Sequence, residues 1–334
     1  MASSNDVTMV LLGRTGNGKS STANSILKTN AFKAKRSSNS VTRTTELQSS
    51  ILQDGRTVNV IDTPGLFDFA LDVEYIKKEI VKCIDLAKNG IHAMLMVFST
   101  STRFSKEEEA GMEIIKGIFG QAITDHIIIV FTGGDSFDED DDEALQDYLA
   151  ECPKPFQEIL QQCKHRIVLF DNKTKDQNKR DLQVCKLISL VNKVVSDNGG
   201  QPYTNELHTK LQREMQWQRM QLEEAKSKGL NEREILMMQE KMQKAYDEQL
   251  KQVTQMVESR FTTTISYLQE QRERERIALS NALQEARMDR EKSAVEMTRI
   301  VQELCDLKRQ NEEFQRKLRP GRVGGGGCEK CPIL

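Results

Sequence analysis

The first residues whose types and spacing could carry chemistry form the stretch GRTGNGKS, residues 13–20. It matches the pattern G-x-x-x-x-G-K-[ST] and lies between a strand-like run and a helix-like one, which is the context that this motif requires. In such a loop, backbone N–H groups face phosphate oxygens, Lys19 reaches the β and γ phosphates, and the Ser20 hydroxyl can ligate Mg²⁺. A plain strand-to-helix turn would not require Lys-Ser directly after Gly18. We therefore expect a phosphate site formed by Gly13, Arg14, Thr15, Gly16, Asn17, Gly18, Lys19, Ser20 and Ser21.

A second motif, VIDTPGLFD at residues 60–68, ends another apolar strand-like run. An aspartate at such a strand end can hold the Mg²⁺ shell, and a glycine three residues later can approach the γ-phosphate through its N–H. Asp62 and Gly65 occupy these positions. Leu66 and Phe67 follow, so no glutamine is placed to orient an attacking water, and we expect slow intrinsic hydrolysis.

The base is predicted to lie beside two later strand ends. The stretch IIIVFTGGDSF carries Thr132 and Asp135 where GTPases have N/T-K-x-D, and the aspartate of that motif accepts from guanine N1 and N2. The lysine that normally packs beside the base is replaced by Gly133. The next strand end, VLFDNKTKD, offers Asn172 for the base or the ribose. Either stretch alone could be an ordinary turn, but their order favours guanine over adenine and predicts GTP or GDP as ligand.

These motifs need a sheet that brings several strand ends to one edge. Six short apolar runs are candidate strands, at residues 8–12, 47–52, 58–62, 93–98, 127–131 and 166–170, and amphipathic stretches at 73–88 and 106–119 are candidate helices. Near-continuous apolar strands interleaved with helices indicate a mostly parallel sheet that is covered on both faces. The predicted fold class is therefore α/β, with a P-loop GTPase domain over residues 1–205.

The chain changes character after this domain, because residues 207–318 contain no proline and a single glycine, Gly229. Asn231, with Glu234 three residues later, is typical of a helix N-cap and its reciprocal partner, so we expect a break near Gly229 followed by a new long helix. Farther along the chain, the heptad spacing of a coiled coil would place the charged Arg290 at an apolar seam position. The helical region is predicted over residues 206–318, and its last part has a strict 3,4 spacing of Met297, Ile300, Leu304, Leu307, Asn311, Phe314 and Leu318.

That spacing is typical of a coiled coil with one polar core position. Three interpretations stay open at this point. The region could be one amphipathic helix that folds back on the globular domain, a self-associating coil, or a fluctuating charged helix.

The last residues, 319–334, are predicted to be a flexible tail that ends in Cys331-Pro-Ile-Leu. This fits C-a-a-X, and a final leucine favours geranylgeranyl. One lipid gives only reversible membrane attachment, so a palmitate on Cys328 and a modest basic patch are candidate second signals. The alternative, a redox or zinc C-x-x-C, lacks a second ligand pair.

Composition limits the remaining classes of function. Lys and Arg total 48 against 50 Asp and Glu, and this near-neutral balance gives no argument for nucleic acid as a partner. Seven mostly scattered cysteines do not indicate a secreted disulfide framework. No leader-like or spanning apolar segment is present in the sequence. We therefore expect a protein of the cytoplasm and of the cytosolic face of a membrane, either an endomembrane such as the ER or the plasma membrane.

With these motifs in hand, residues 6–195 resemble the GIMAP/IAN family of AIG1-type, immunity-associated nucleotide-binding GTPases, and most closely its plant branch. The resemblance rests on GRTGNGKSSTANSI, SVTRTTE, DTPGLFD, FSTSTRFSKEEE, VFTGGD and FDNKTKD. It implies a septin-like G domain that pairs through its nucleotide face when loaded with GTP. It also implies that Thr42 is the switch I residue that meets Mg²⁺ and the γ-phosphate, although Thr44 and Thr45 are close enough to compete.

Arg103, in the segment RFSKEEE, is the candidate for an arginine that a partner supplies in place of the missing glutamine; otherwise it is a solvated surface arginine. The predicted catalytic residues are thus Lys19, Thr42 and Arg103, and the predicted Mg²⁺ ligands are Ser20, Thr42 and Asp62. Together these features predict a slow GTPase that acts as a dimerising, membrane-tethered switch in immune or stress responses. The alternative is a nucleotide-regulated membrane scaffold that works through its coiled coil with little or no turnover.

Overall fold

A computed structural model of the chain describes residues 6–34, 42–52, 54–68, 72–137, 142–227 and 232–318. The expected N-cap Asn231 and the two cysteines of the predicted lipid tail, Cys328 and Cys331, lie outside these residues.

A six-stranded sheet organises the first part of the described chain. Its strands follow the spatial order β2-β3-β1-β4-β5-β6, and all neighbours are parallel except the edge pair β2–β3. All residues of β1 and β5 and most residues of β4 are buried, as expected for strands covered on both faces. The strands are β1 Val7–Leu12, β2 Glu46–Ile51, β3 Thr57–Asp62, β4 Ala93–Ser99, β5 Ile127–Thr132 and β6 Ile167–Phe170.

Eight α-helices accompany the strands within the described residues. They are α1 Lys19–Leu27, α2 Val73–Leu86, α3 Lys106–Phe119, α4 Asp142–Ala150, α5 Lys154–Gln162, α6 Gln177–Asp197, α7 Glu206–Ser227 and α8 Glu232–Leu318.

Two buried clusters lie on the two faces of the sheet, because successive strand residues point to opposite sides. In β1, Val10 and Leu12 join the cluster that contains the buried residues of α2, α3 and α5. Met9 and Leu11 join the cluster that contains those of α1 and α6. The predicted α/β fold with a P-loop domain is confirmed, and the long predicted helix is present as α8.

The compact unit that contains the sheet extends to Leu268 and so includes α7 and the first part of α8. Val253 and Val257 are fully buried, and Phe261 is 2% exposed, all within the cluster that holds α2 and α3. The contact is close: a Cβ on Gly117 of α3 would lie 2.1 Å from Thr264 Oγ1 of α8. This part of the helix therefore folds back on the globular domain, which was one of the three interpretations left open by the sequence.

Residues 269–334 form a second unit, of which 269–318 are described as the rest of α8. The residues of this segment whose burial is described, 269–317, are all exposed. Across the whole described chain, no helix combines the length and the apolar character needed to cross a bilayer.

Candidate nucleotide-binding site

The turn between β1 and α1 carries the predicted phosphate loop, and Lys19 closes it. Lys19 is 6% exposed, and its Nζ donates to the carbonyl oxygens of Gly13 and Arg14, at 3.0 Å each. Burial lowers the pKa of this ammonium to about 8, while attraction from Asp62 and Asp68 opposes that shift. A buried cation whose partners are only loop carbonyls and distant carboxylates is placed to meet an anion.

The start of α1 differs from the other described helix starts on the nucleotide side. No side chain caps α1, its N-cap residue Gly18 has a left-handed φ of 89°, and its first turn holds no acidic residue. By contrast, Asp72, Ser105 and Asp176 cap α2, α3 and α6. The first N–H groups of α1 are therefore without a side-chain acceptor at the end where the helix dipole favours an anion.

Three oxygen-bearing side chains from separate elements meet beside this helix start. Ser20 Oγ donates to Asp62 Oδ2 at 2.5 Å and lies 2.9 Å from Thr42 Oγ1. Thr42 Oγ1 also donates to Asp62 Oδ2, at 3.4 Å. Burial raises the pKa of Asp62, and the bond from Ser20 and the charge of Lys19 oppose this effect.

Two atoms of the site have unsatisfied hydrogen-bonding capacity. Among the described residues, the buried side-chain atoms without a hydrogen-bond partner are Thr15 Oγ1, Asp62 Oδ1 and His208 Nε2, and the first two belong to the predicted phosphate and metal site. The Asp62 carboxylate, with its unpartnered Oδ1, and the hydroxyl oxygens of Ser20 and Thr42 form a set of hard oxygen donors, which fits Mg²⁺. The described residues contain no cluster of three or more His, Cys, Asp and Glu that would suit another metal better.

The loop after β3 lies against the phosphate loop. A Cβ on Gly65 would stand 2.0 Å from Thr15 Oγ1 and 2.6 Å from Thr15 N, so only glycine fits this approach. The next residues, Leu66 and Phe67, are 2% and 1% exposed and face the core. They hold the loop in place and present no polar group toward the site, in agreement with the expected lack of a water-orienting glutamine.

The phosphate loop is also tied to the start of α3. Asn17 Nδ2 donates to Val97 O and to Glu108 Oε1, both at 2.9 Å. Glu108 is 3% exposed, and its other oxygen accepts the backbone N–H of Ser105 in a capping box. Arg14 pairs with Glu107 on the same helix turn, with 3.4 Å between Nε and Oε2. Glu108 is not among the site residues predicted from the sequence, although the S-x-x-E spacing from Ser105 could have indicated it.

The loop after β5 brings the predicted base-binding residues to the same edge of the sheet. Thr132 Oγ1 donates to Asn17 O at 2.8 Å, which joins this loop to the phosphate loop. Gly133 has a φ of 92°, and a Cβ there would lie 2.4 Å from Thr100 Oγ1, so a lysine at this position would strain the backbone and displace Thr100. Asp135 instead forms an ion pair with Lys173, from the loop after β6. A lysine does reach the aspartate that is predicted to read the base, but it comes from a different strand end.

Asn172 is turned toward α1. Its Nδ2 donates to Thr22 Oγ1 at 2.9 Å, and its Oδ1 accepts from Ser25 Oγ at 2.8 Å. Both ends of the amide are therefore used in bracing the loop, so a base or ribose contact by this side chain requires one bond to be exchanged. A polar cavity of about 330 Å³ lies alongside and is lined in part by Ser21, Asn172 and Arg180.

Two further residues bear on the predicted switch I. Thr44 and Thr45, the competitors of Thr42, are occupied by Glu79 of α2. The Glu79 carboxylate accepts from the Thr44 hydroxyl at 3.3 Å and from the backbone N–H of Thr45. Of the three threonines, Thr42 alone meets Ser20 and Asp62 in the bonds described above. Arg103 lies exposed between β4 and α3.

Comparison with known protein families identifies the family of this chain. The AIG1 family model matches residues 7–223. The chain belongs to the AIG1 family. Immune-associated nucleotide-binding protein 9 of Arabidopsis thaliana is 42% identical to this AIG1 family chain over 313 residues, which covers 93% of the chain and 91% of that relative. Immune-associated nucleotide-binding protein 8 of the same plant is 43% identical over 244 residues, or 73% of the chain and 69% of the relative. The resemblance predicted from the motifs is confirmed.

Solved structures also resemble this AIG1 family chain. A crystal structure of Toc33 from Arabidopsis thaliana in complex with Mg²⁺ and GMPPNP is 21% identical, with a TM-score of 0.46 over 58% of this chain and 85% of that chain. A structure of Era in complex with MgGDPNP and ribosomal RNA is 15% identical, with a TM-score of 0.42 over 56% of each chain.

Proposed function

We propose that this AIG1 family protein binds GTP with Mg²⁺ and hydrolyses it slowly. The observation that carries the proposal is the convergence on one spot of the uncapped α1 start, the buried Lys19 and the Ser20–Thr42–Asp62 group, with unpartnered oxygens on Thr15 and Asp62. Several orphaned donors and acceptors in one place are costly unless a ligand satisfies them. The names of the Arabidopsis relatives, immune-associated nucleotide-binding proteins, support the same ligand class and an immune or stress process.

Guanine is the proposed base. The Asp135 carboxylate provides acceptors for the guanine N1 and N2 donors, whereas adenine offers no such pair of donors on that edge. Lys173 holds this carboxylate from the side, where the usual lysine of the motif is absent.

The mechanism assigns a task to each residue of the site. Lys19 exchanges its carbonyl partners for phosphate oxygens, while the α1 N–H groups hold the phosphates in position. Ser20, Thr42 and Asp62 would hold Mg²⁺, which supplies charge compensation to the phosphates when bound. Gly65 keeps the loop after β3 against the phosphate loop, so that its backbone N–H lies beside the γ-phosphate position.

Slow turnover follows from what the loop after β3 lacks. Leu66 and Phe67 are buried, so neither can orient water. We propose that Arg103 from a second copy supplies transition-state charge when two GTP-loaded chains pair through their nucleotide faces. Arg103 is exposed beside the carboxyl end of β4, and this exposure supports the proposal that its side chain reaches the nucleotide of a partner chain.

The test compares wild type, Lys19→Ala and Lys164→Ala for GTP affinity and turnover. Lys164, in the turn before β6 at the opposite edge of the sheet, is the matched control. GTP binding by wild type and Lys164→Ala, with severe loss in Lys19→Ala at an unchanged melting temperature, supports the proposal. Equal GTP affinity in Lys19→Ala and wild type contradicts it.

Arg103 distinguishes the switch from the scaffold alternative. We expect Arg103→Ala to lower turnover while GTP affinity stays unchanged. Added Lys19→Ala protein, which keeps Arg103, should restore none of the turnover, because that copy cannot load GTP and pair. A turnover that Arg103→Ala leaves unchanged favours the scaffold, which uses the nucleotide only to control assembly.

We further propose that the protein acts at the cytosolic face of a membrane, with Cys331 prenylated and Cys328 palmitoylated. The C-a-a-X pattern supports this proposal, and it requires that Leu334 be the carboxyl terminus, which intact mass measures. In fractionated cells, Cys331→Ser is expected to move the protein to the soluble fraction. Cys328→Ser is expected to cause a smaller loss, since the prenyl group precedes acylation. Full retention of Cys331→Ser in the membrane pellet would exclude prenylation as the anchor.

The last proposed element of function is self-association through the seam of α8 that begins at Met297. Its 3,4 spacing supports a coil, and its exposure leaves the apolar face accessible to a partner. No nucleic acid is proposed as a partner.

A further inference from the structure

We infer that the partner of the α8 seam is a second copy of the same chain, bound parallel and in register as a two-stranded coil. The inference rests on the self-association proposed above and specifies its geometry. The seam is the set of residues Met297, Ile300, Leu304, Leu307, Asn311, Phe314 and Leu318.

The seam needs a partner on its apolar side. Met297, Leu304, Leu307 and Phe314 are 62%, 59%, 62% and 63% exposed, and Ile300 is 47% exposed. In heptad letters, Met297, Leu304, Asn311 and Leu318 occupy a positions, and Ile300, Leu307 and Phe314 occupy d positions. Large side chains repeated on one helix stripe at these exposures are typical of an interface.

Asn311 selects the orientation. In a parallel, in-register pair, a faces a, so the two Asn311 amides meet and can bond to each other. In the two antiparallel registers that overlap the seam most fully, a faces d, and each Asn311 would be buried against Leu307 or Ile300 of the other copy, with no partner for its amide. A single asparagine at an a position is a known determinant of register in two-stranded coils because of this difference.

Charges beside the seam favour the same arrangement. Glu303 occupies a g position and Lys308 the following e position, so in a parallel pair each Glu303 faces Lys308 of the other copy. Glu303 already pairs within its own helix with Arg299, where Nε lies 3.0 Å from Oε1. Its second oxygen, Oε2, is the atom that would accept from the partner lysine.

This orientation has a consequence for the membrane proposal. A parallel pair places both tails, residues 319–334, at the same end of the coil. Two lipid-bearing tails side by side would anchor the dimer far more firmly than one, because single-chain attachment is reversible.

The experiment uses the full chain without nucleotide and with EDTA, so that pairing through the nucleotide face does not contribute. Ile300→Cys is made in a background carrying Cys185→Ser, Cys305→Ser, Cys328→Ser and Cys331→Ser, and the protein is treated with a short bismaleimide. Sedimentation across a concentration series gives the mass. Gln302→Cys, at an f position on the opposite side of the helix, is the matched control.

We expect a dimer mass and a cross-linked dimer for Ile300→Cys but not for Gln302→Cys. In the two antiparallel registers that overlap the seam most fully, with Ile300 opposite Asn311 or Leu318 of the other copy, the two Ile300 positions would be at least about 16 Å apart along the coil, beyond the reach of the reagent. A dimer without the Ile300→Cys cross-link overturns the parallel orientation and leaves self-association standing. A monomer at all concentrations overturns both, and neither result touches GTP binding, which is measured separately.

Charge exchange gives an independent readout. Glu303→Lys should weaken dimerisation roughly tenfold, because both symmetric pairs become repulsive, and adding Lys308→Glu should restore it. Glu313→Lys makes the same charge change at a c position outside the interface and should leave dimerisation unchanged. Equal effects of Glu303→Lys and Glu313→Lys, or no rescue by Lys308→Glu, would contradict the assigned faces.

Discussion

Asn17 of the phosphate loop donates a 2.9 Å hydrogen bond to the buried carboxylate of Glu108, ninety-one residues later. The same carboxylate caps α3 through Ser105. One side chain thus joins the conformation of the phosphate loop to the start of a core helix. We therefore expect that removal of the Glu108 side chain lowers both the stability of the protein and its nucleotide affinity.

We predict that Glu108→Ala lowers the free energy of unfolding by about 2 kcal/mol, because it removes a helix cap and leaves the buried Asn17 amide short of an acceptor. Glu108→Gln retains one acceptor oxygen and should cost about half as much. Denaturant unfolding measures both, and GDP affinity should fall in the same order. Glu109→Ala, at the next position of the same helix turn, is the control. Equal losses for the two alanine variants would contradict the role of Glu108.

The base contact predicts a change in nucleotide preference. Asp135→Asn replaces an acceptor with a donor opposite the guanine N2 amino group, so GTP affinity should fall on the order of a hundredfold. Xanthine carries a carbonyl at that position, so the variant should gain affinity for XTP. Competition binding with GTP, XTP and ATP measures the change, and Asp147→Asn on α4 is the control. ATP bound by wild type as tightly as GTP would show that Asp135 does not read the base.

Lys173 is predicted to position the Asp135 carboxylate. The pair is exposed, with the two side chains 58% and 34% accessible, so its effect is modest. Lys173→Ala should weaken GTP and GDP binding by roughly three- to tenfold, without changing ATP binding. Lys175→Ala removes a similar charge from the same loop and should have little effect. If both variants reduce affinity equally, general attraction explains the loss and Lys173 has no positioning role.

His208 predicts how stability depends on pH. It is fully buried on α7, with the rings of Phe119 and Tyr203 near its own and Asn205 on its Nδ1, and burial lowers its pKa to about 4. Between about pH 6.5 and pH 4 the unfolded chain binds a proton that the folded chain does not, so stability falls as pH falls.

The predicted size of that loss is up to about 3 kcal/mol at pH 4. His208→Phe should flatten this part of the curve of unfolding free energy against pH, whatever its effect at pH 7. His165→Asn, at an exposed histidine with a positive φ, is the control variant. The same acid slope in His208→Phe and wild type would assign the loss to other groups.

The fold and the phosphate end of the site could be predicted from the sequence because their signals are local. The strand ends at Asp62 and Thr132 follow apolar runs, and Lys19 follows its glycines directly. Both strands end where the apolar pattern stops, and the loops after them carry the candidate site residues. The edge pairing of β2 is antiparallel, which a pattern of strands and helices does not reveal.

The contacts between distant segments could not be predicted in the same way. Glu79 and Lys173 lie in ordinary charged stretches, and only the packing of α2 and the β6 loop around the site gives them partners. Glu108 has a local capping signal, but its bond to Asn17 depends on the packing of α3. Asn172 shows the converse case, since its position after a strand end predicted a ligand contact while its amide braces Thr22 and Ser25. The helical region likewise divides, because the part of α8 up to Leu268 packs on the globular domain, while self-association of the later part stays a proposal.

The burial of Val253, Val257 and Phe261 determines how short a fragment of this protein can be. The family match stops at residue 223, yet the compact unit continues to Leu268. A fragment cut at the family boundary would lose the burial of these three side chains, worth about 5 kcal/mol, and would expose the α3 surface that they cover. That amount is comparable to the whole stability of many domains. Such a fragment would aggregate or bind chaperones, and its nucleotide affinity would report on a damaged protein.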